Sequence, residues 1–312
     1  MTDSSTRNDL AVRVAWLYHE RGLTQQDIAD RLGISRSTIS RVLTEAERDG
    51  IIRVVITQPL PESARLAEAL IERYGLSGAI VGPKLDDEPP ALAAAAVMAR
   101  RLESIAASGS VTIAAGWGRT IALSAGEVRP VPTSGVVVVD AFGHTTTDDT
   151  TAAVEVTNVL SRKFDAKVMH VPSPGFADSE ELARTFLSSR PIARALDTAK
   201  AADVAIVSIG ITGPESLLVA EGFMTREAMD QAIEDGAVGE IFGWYFDAEG
   251  ASVSVESLHP IAMTLEDLRE ASRVIGVAGG PEKAEAIKGA IATGILDELA
   301  VDESLAEALL SD

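Results

Sequence analysis

The stretch Gln25–Thr44, QQDIADRLGISRSTISRVLT, constrains what this chain can fold into more than any other. Ile28, Ala29 and Leu32 mark one face of a short helix that can open at Thr24, whose hydroxyl suits an N-cap. Gly33 follows where the chain must turn, and glycine adopts positive φ without steric cost. Ser35 then caps a second helix with an inward face of Ile39, Val42, Leu43 and Ala46. Ala29 is small where two such helices cross closely. The outward face carries Arg36, Ser37, Thr38, Ser40 and Arg41, donors suited to major-groove base edges and phosphates. A plain helical hairpin inside a larger domain is the alternative. Because turn, caps and polar face agree, the segment reads as a DNA-binding helix-turn-helix in which Arg36 and Arg41 dominate contact.

A net charge of −20 looks wrong for DNA binding until it is divided along the chain. In residues 1–56 eight arginines balance eight acidic residues, so all of the excess negative charge lies beyond them. An acidic body with a neutral, arginine-bearing head lets only the head approach a phosphate backbone. A merely acidic protein would explain the total but not the asymmetry.

The head extends in both directions. Asp9–Arg21 has Leu10, Val14, Leu17 and Tyr18 at helical spacing and predicts a first helix packed on the other two. Asp49-Gly50 ends the recognition helix, and the β-branched run Ile51–Thr57 predicts a strand, half of a small wing. Pro59 and Pro61 stiffen a connection, and Leu66, Leu70 and Tyr74 form a helical stripe beyond it. With 312 residues, about two domains are expected at ~100–200 residues each. They are read as a winged-type DNA-binding domain over 1–60 and an effector-binding, oligomerising domain over 61–312.

From residue 76 strands and helices alternate. Candidate strands are Gly78–Val81, Val111–Ala114, Val136–Asp140, Val168–Val171, Val204–Ile209, Ser252–Val255 and Arg273–Val277. Helical stretches include Ala91–Ala107, Thr151–Phe164, Pro191–Lys200 and Lys283–Thr293. Short apolar strands separated by helices predict an α/β domain with a mostly parallel sheet covered on both faces. Such sheets bind ligands at the C-terminal ends of their strands.

Glycine-bearing loops fall at those ends. AGWGRT at 115–120 lets backbone N–H groups approach an anion, with Arg119 and Thr120 as side-chain donors, although a tight strand-to-helix turn also favours glycine. IGITGP at 209–214, the Glu240-bearing stretch at 236–250 and VAGGPEK at 277–283 are similar. Lys283 stands near a helix start, where a cation is unfavourable unless it meets an anion. Together the loops point to a polar ligand.

The helix-turn-helix, GWGRT at 116–120, VPSPG at 171–175, DVAIVSIG at 203–210, GAVGEIFGWYFD at 236–247 and VIGVAGGPEKAEAIKGAI at 274–291 resemble the SorC family of sugar-responsive transcription regulators. GILDELAVDESLAEALL at 294–310 is similar to that family's ending. The resemblance implies an effector domain related to sugar-phosphate isomerases and deaminases, a sugar or polyol phosphate as effector, and a homodimer or homotetramer on an inverted-repeat double-stranded operator. It implies a phosphate cradle of Gly116, Trp117, Gly118, Arg119 and Thr120, with Glu240 accepting sugar hydroxyls and Lys283 pairing with phosphate or hydroxyl. Trp244-Tyr245 depart from it where relatives are expected to carry a basic residue, which predicts a more aromatic, less cationic pocket.

Cysteine is absent, which excludes disulfides, thiolate metal sites and thiol nucleophiles. The first residues lack a basic stretch followed by an apolar core, and the Ala91–Ala99 run is too short for a bilayer, so a cytoplasmic location is expected. No two histidines sit at metal-ligand spacing, so no metal is expected. His144 suits a pocket or a solvated loop, His170 reads as a satisfied strand residue, and His259 beside Pro260 as structural. Trp117 could stack on a ligand or plug the core. A sugar-phosphate isomerase or deaminase fused to the head is the second reading. It needs a general base, and Glu240, Asp140 and His144 are the candidates, tied together by no spacing.

Overall fold

The computed structural model describes residues 3–52, 61–84, 87–131, 133–145 and 153–311. The chain divides into two units, Met1–Pro59 and Leu60–Asp312.

The first unit packs three helices, α1 (Asp3–His19), α2 (Gln25–Leu32) and α3 (Arg36–Arg48). Its local chemistry follows the sequence closely. Thr24 and Asp27 form a reciprocal capping box, Gly33 ends α2 in the left-handed region at φ 68°, and Ser35 caps α3 through the Thr38 N–H. Ile28 and Ala29 from α2 and Ile39, Val42, Leu43 and Ala46 from α3 are buried together with Val14 and Leu17 of α1. Tyr18, expected on that inner face, is instead exposed beside the half-exposed Trp16. By helical spacing it shares the face of Val14, four residues earlier, but it stands one residue from the end of α1, where burial stops. Ile51 and Ile52 pack on this core, and the rest of the expected wing strand, from residue 53, lies outside the described residues.

The second unit is built on seven parallel strands: β1 (Gly78–Gly82), β2 (Thr112–Ala115), β3 (Val137–Asp140), β4 (Lys167–Met169), β5 (Val204–Ser208), β6 (Val274–Val277) and β7 (Glu298–Asp302), in the order β1-β7-β6-β5-β2-β3-β4. Successive side chains enter opposite cores. Val138 and Ile206 pack on one side of the sheet, Val139, Ala205 and Val207 on the other. Two buried faces explain why these strands read as continuous apolar runs. Strand β7 was not expected from the sequence, yet it sits between β1 and β6. Ser252–Val255 corrects another expectation. Only Ser252–Val253 is strand, and it edges a separate antiparallel sheet with Trp244–Phe246, Gly239–Ile241 and Gly210–Ile211. The helix expected over Lys283–Thr293 begins as one 3-10 turn, Pro281–Lys283, and continues as Ala284–Ala292. Among the described residues no helix is long and apolar enough to cross a membrane.

Candidate functional site

On α3 the side chains of Arg36, Ser37, Ser40 and Arg41 are exposed. Thr38 is half-buried, its hydroxyl 2.8 Å from Ser35 Oγ, so it supports the N-cap as well as facing outward. The buried face of α3 fixes the outward direction of the two arginines, as the alternation in the sequence requires.

In the larger unit, strands β2 and β5 lie side by side, and their C-terminal ends open into a cavity of about 390 Å³. Trp117, Gly118, Arg119, Thr120, Glu240 and Lys283 all line it. Arg119 is the first residue of the helix Arg119–Glu127. That helix is entered through Gly118 at φ 126°, a conformation that favours glycine, with no side-chain cap. Its first N–H groups therefore carry the partial positive charge of a helix N-terminus towards the cavity.

Glu240 and Lys283 give the cavity its electrostatics. Glu240 is buried on Gly239–Ile241, and its Oε2 accepts the Gly243 N–H at 2.7 Å. Burial pushes its carboxyl up to about 7, against the opposing pull of the Gly243 hydrogen bond and the Lys283 charge. Burial lowers the Lys283 ammonium from its ordinary value, while Glu240 and Glu282 favour its charged form. Lys283 Nζ donates to the Ile209 carbonyl at 3.1 Å. Gly210 lies directly beneath Glu240, where a β-carbon would stand 1.9 Å from Oε1. The turn that positions Glu240 joins two antiparallel strands through Phe242 at φ 57° and Gly243 at φ 82°. Two positive φ values in a two-residue loop are the type I′ geometry that matches strand twist.

Three expectations change. Gly116 is absent from the lining, because its lack of a β-carbon makes room for the Phe242 ring. Trp117 is only 4% exposed and stacks on Phe142 at 5.2 Å, so its ring is part of the core beneath the cavity. Trp244 and Tyr245 do not line the cavity: Trp244 Nε1 donates to the Met263 carbonyl, and Tyr245 is fully buried with its hydroxyl against Met224 Sδ. Tyr245 stands opposite Glu240 in the strand pair but is fully buried, so the lining is polar, with Arg119 and Lys283 set among Glu215, Glu240 and Glu282. Glu282, from the glycine-bearing loop at 277–283, and Glu215, which no sequence signal singled out, also line it.

The enzymatic candidates are divided. Glu240 lines this cavity, whereas His144 lines another, and Asp140 stands beside His144 at the end of β3. His170, expected to be a satisfied strand residue, follows β4 and lies 2.9 Å from Asp140 Oδ2 through Nδ1. His259 belongs to a short strand pairing with Phe176–Ala177.

Residues 58–311 match the family described as "Putative sugar-binding domain", and residues 9–59 match the Crp-like helix-turn-helix domain. The transcriptional regulator LsrR of Enterobacter sp. (strain 638) is 30% identical, over 98% of this chain and 94% of its own length. The erythritol catabolism regulatory protein EryD of Brucella abortus (strain 2308) is 29% identical, over 97% of this chain and 96% of its own. The crystal structure of the full-length sorbitol operon regulator SorC from Klebsiella pneumoniae aligns with a TM-score of 0.72 at 24% identity, over 97% of this chain and 99% of that one, a likeness of fold. The chain belongs to the SorC family of sugar-responsive transcriptional regulators, a helix-turn-helix head joined to a sugar-binding domain.

Proposed function

We propose that this regulator binds an inverted-repeat operator as a homodimer or homotetramer and is controlled by a phosphorylated sugar or polyol held in the cavity at the ends of β2 and β5. Operator contact runs through Arg36, Ser37, Thr38, Ser40 and Arg41. The convergence of Arg119, Lys283 and an uncapped helix N-terminus on one enclosed space carries the effector reading. Such an assembly is suited to an anion. Glu240 then accepts hydroxyls of the carbon chain, and Gly118 and Thr120 complete the anion's cradle. The names of the erythritol and sorbitol relatives support a small polyol or sugar skeleton. A cytoplasmic location accords with this role.

The effector's leverage on operator affinity is bounded by its differential affinity for the operator-binding and operator-free arrangements. The body acts as a sensor without turnover, because Glu240 and the Asp140–His144 pair serve different cavities and assemble no common acid–base site.

Thermal unfolding against sugar and polyol phosphates and their unphosphorylated parents tests the reading. A ligand confined to the folded state adds about 2.7 kcal/mol at a hundredfold excess over its Kd. A phosphate compound that shifts the transition while its parent does not is the expected result. A shift with the parent alone would remove the phosphate from the proposal, and no shift with any compound would remove the effector role. Mass spectrometry of the same mixtures should return every compound unchanged.

A further inference from the structure

Asp140, at the end of β3, is fully buried and gathers two imidazoles. Strands β3 and β4 pair with Val139 opposite Met169, so Asp140 and His170 emerge side by side although thirty residues separate them. The Thr157 hydroxyl donates to Asp140 Oδ1 at 2.7 Å, and the Val171 N–H donates to Oδ2 at 3.1 Å. Oδ2 also lies 2.9 Å from His170 Nδ1 and 3.6 Å from His144 Nε2. The three donor atoms fall within 4.8 Å of one another. Donors bonded at about 2.0–2.2 Å around a tetrahedral ion stand about 3.3 Å apart, a separation that these two distances bracket.

A second observation marks the same corner. Among the described residues, the buried side-chain polar atoms without a hydrogen-bond partner are His144 Nε2, Thr145 Oγ1 and Ser173 Oγ. His144 and Ser173 line the same cavity, and the His144 N–H donates to the Ser173 carbonyl at 2.8 Å. Buried polar atoms are normally satisfied, so the orphan His144 Nε2, 3.6 Å from Asp140 Oδ2, calls for a partner.

We propose that Asp140, His144 and His170 bind one divalent transition-metal ion of the zinc class. Two imidazole nitrogens and one carboxylate favour such an ion over magnesium or calcium, which take oxygen ligands. Thr157 and the Val171 N–H hold the carboxylate in place, the supporting shell that metal ligands need. The fourth position is left for water or another oxygen donor from the second cavity, about 750 Å³, that His144 and Ser173 line. The rings of Trp117, Phe176 and Phe223 pack together between this cavity and the effector cavity, so the ion's site is separate from Lys283.

The test uses the untagged full chain, stripped with a chelator and titrated with Co²⁺ and then Zn²⁺. The expected result is one Co²⁺ per chain with visible d–d absorption that Zn²⁺ displaces, and a raised thermal transition. His144→Ala and His170→Ala should each weaken binding by at least about the tenfold that loss of an outer-shell partner costs. His259→Ala should retain it, and circular dichroism of each variant separates lost ligation from lost fold. Wild-type protein that binds no stoichiometric metal, or a folded His144→Ala/His170→Ala double variant that binds as well as wild type, would overturn the proposal.

Discussion

The ring of Phe242 fills the space that a β-carbon on Gly116 would need: a methyl group there would stand 2.3 Å from Phe242 Cε1. Phe242 cannot easily retreat. It is 1% exposed, its backbone is fixed in a two-residue turn, and its ring stacks with Phe142. Gly116→Ala should therefore destabilise the larger domain by about 1–3 kcal/mol, as overpacking of a dense core does. Urea unfolding measures it. A stability equal to wild type would show that the ring has freedom this packing denies it.

Glu240 makes the stability of the domain depend on pH. Its folded-state pKa is raised from 4.5 to about 7, so folding favours the protonated carboxyl. That stabilisation is complete below about pH 4.5 and is lost as pH rises through 7, amounting to about 3 kcal/mol at most. Glu240→Gln removes the titration while keeping an oxygen for the Gly243 N–H. The variant should gain on wild type between pH 5 and pH 8 in urea unfolding. Parallel stabilities at both pH values would mean that water or Lys283 relieves the burial of the carboxylate.

The fate of the two loops at residues 116–120 and 240–245 shows where sequence reasoning holds and where it stops. Local rules carried the head: Thr24, Gly33 and Ser35 act through neighbours within a few residues, so their roles were readable one by one. The site's backbone was likewise legible, because glycines and a strand-to-helix change mark the ends of β2, β5 and β6. Which side chains face the cavity was less legible. The Trp117 ring and the Tyr245 side chain are buried by packing that depends on distant partners, Phe142 and Met224 among them. Strand β7 escaped for a different reason. Its ends are Glu298 and Asp302, buried carboxylates that look like surface residues in the sequence. Arg101 meets Glu298 with two hydrogen bonds, and Asp302 caps the last helix, Glu303–Leu310, while accepting the Gly280 N–H. Arg101 and Gly280 lie far along the chain, so no window around β7 contains them. The pairing of Asp140 with His170 is hidden in the same way, by a register between two strands.

Lys283 and Arg119 separate effector binding from folding. Arg119 is exposed at a helix start, and its removal leaves the core untouched. Lys283 gives one hydrogen bond to a backbone carbonyl and a favourable charge to buried Glu240, so Lys283→Ala should cost that bond, about 1 kcal/mol, plus the lost pairing with Glu240. Either change should weaken the phosphorylated effector at least about tenfold, since charge-assisted bonds to phosphate are the strong ones. Isothermal titration with the compound identified by thermal shift gives the comparison. Unchanged affinity in both variants would place the effector elsewhere.

Operator recognition rests on two exposed arginines that the core of the head aims outward. Ile39, Val42, Leu43 and Ala46 lock α3 against its neighbours, so Arg36 and Arg41 project from the opposite side of a fixed helix. The head carries no net charge over residues 1–56, so each arginine supplies a large share of the attraction to a phosphate backbone. Arg36→Ala or Arg41→Ala should cost about 1–3 kcal/mol of operator affinity if the side chain reads a base, with relaxed preference at that base. An arginine that contacts only phosphate should weaken all sequences alike and reduce the salt slope by about one. Fluorescence anisotropy against operator and scrambled duplexes at several salt concentrations distinguishes the two. Because neither side chain helps to build the core, thermal stability of both variants should match wild type. Affinity, preference and salt slope all unchanged would show that another face of the head meets DNA.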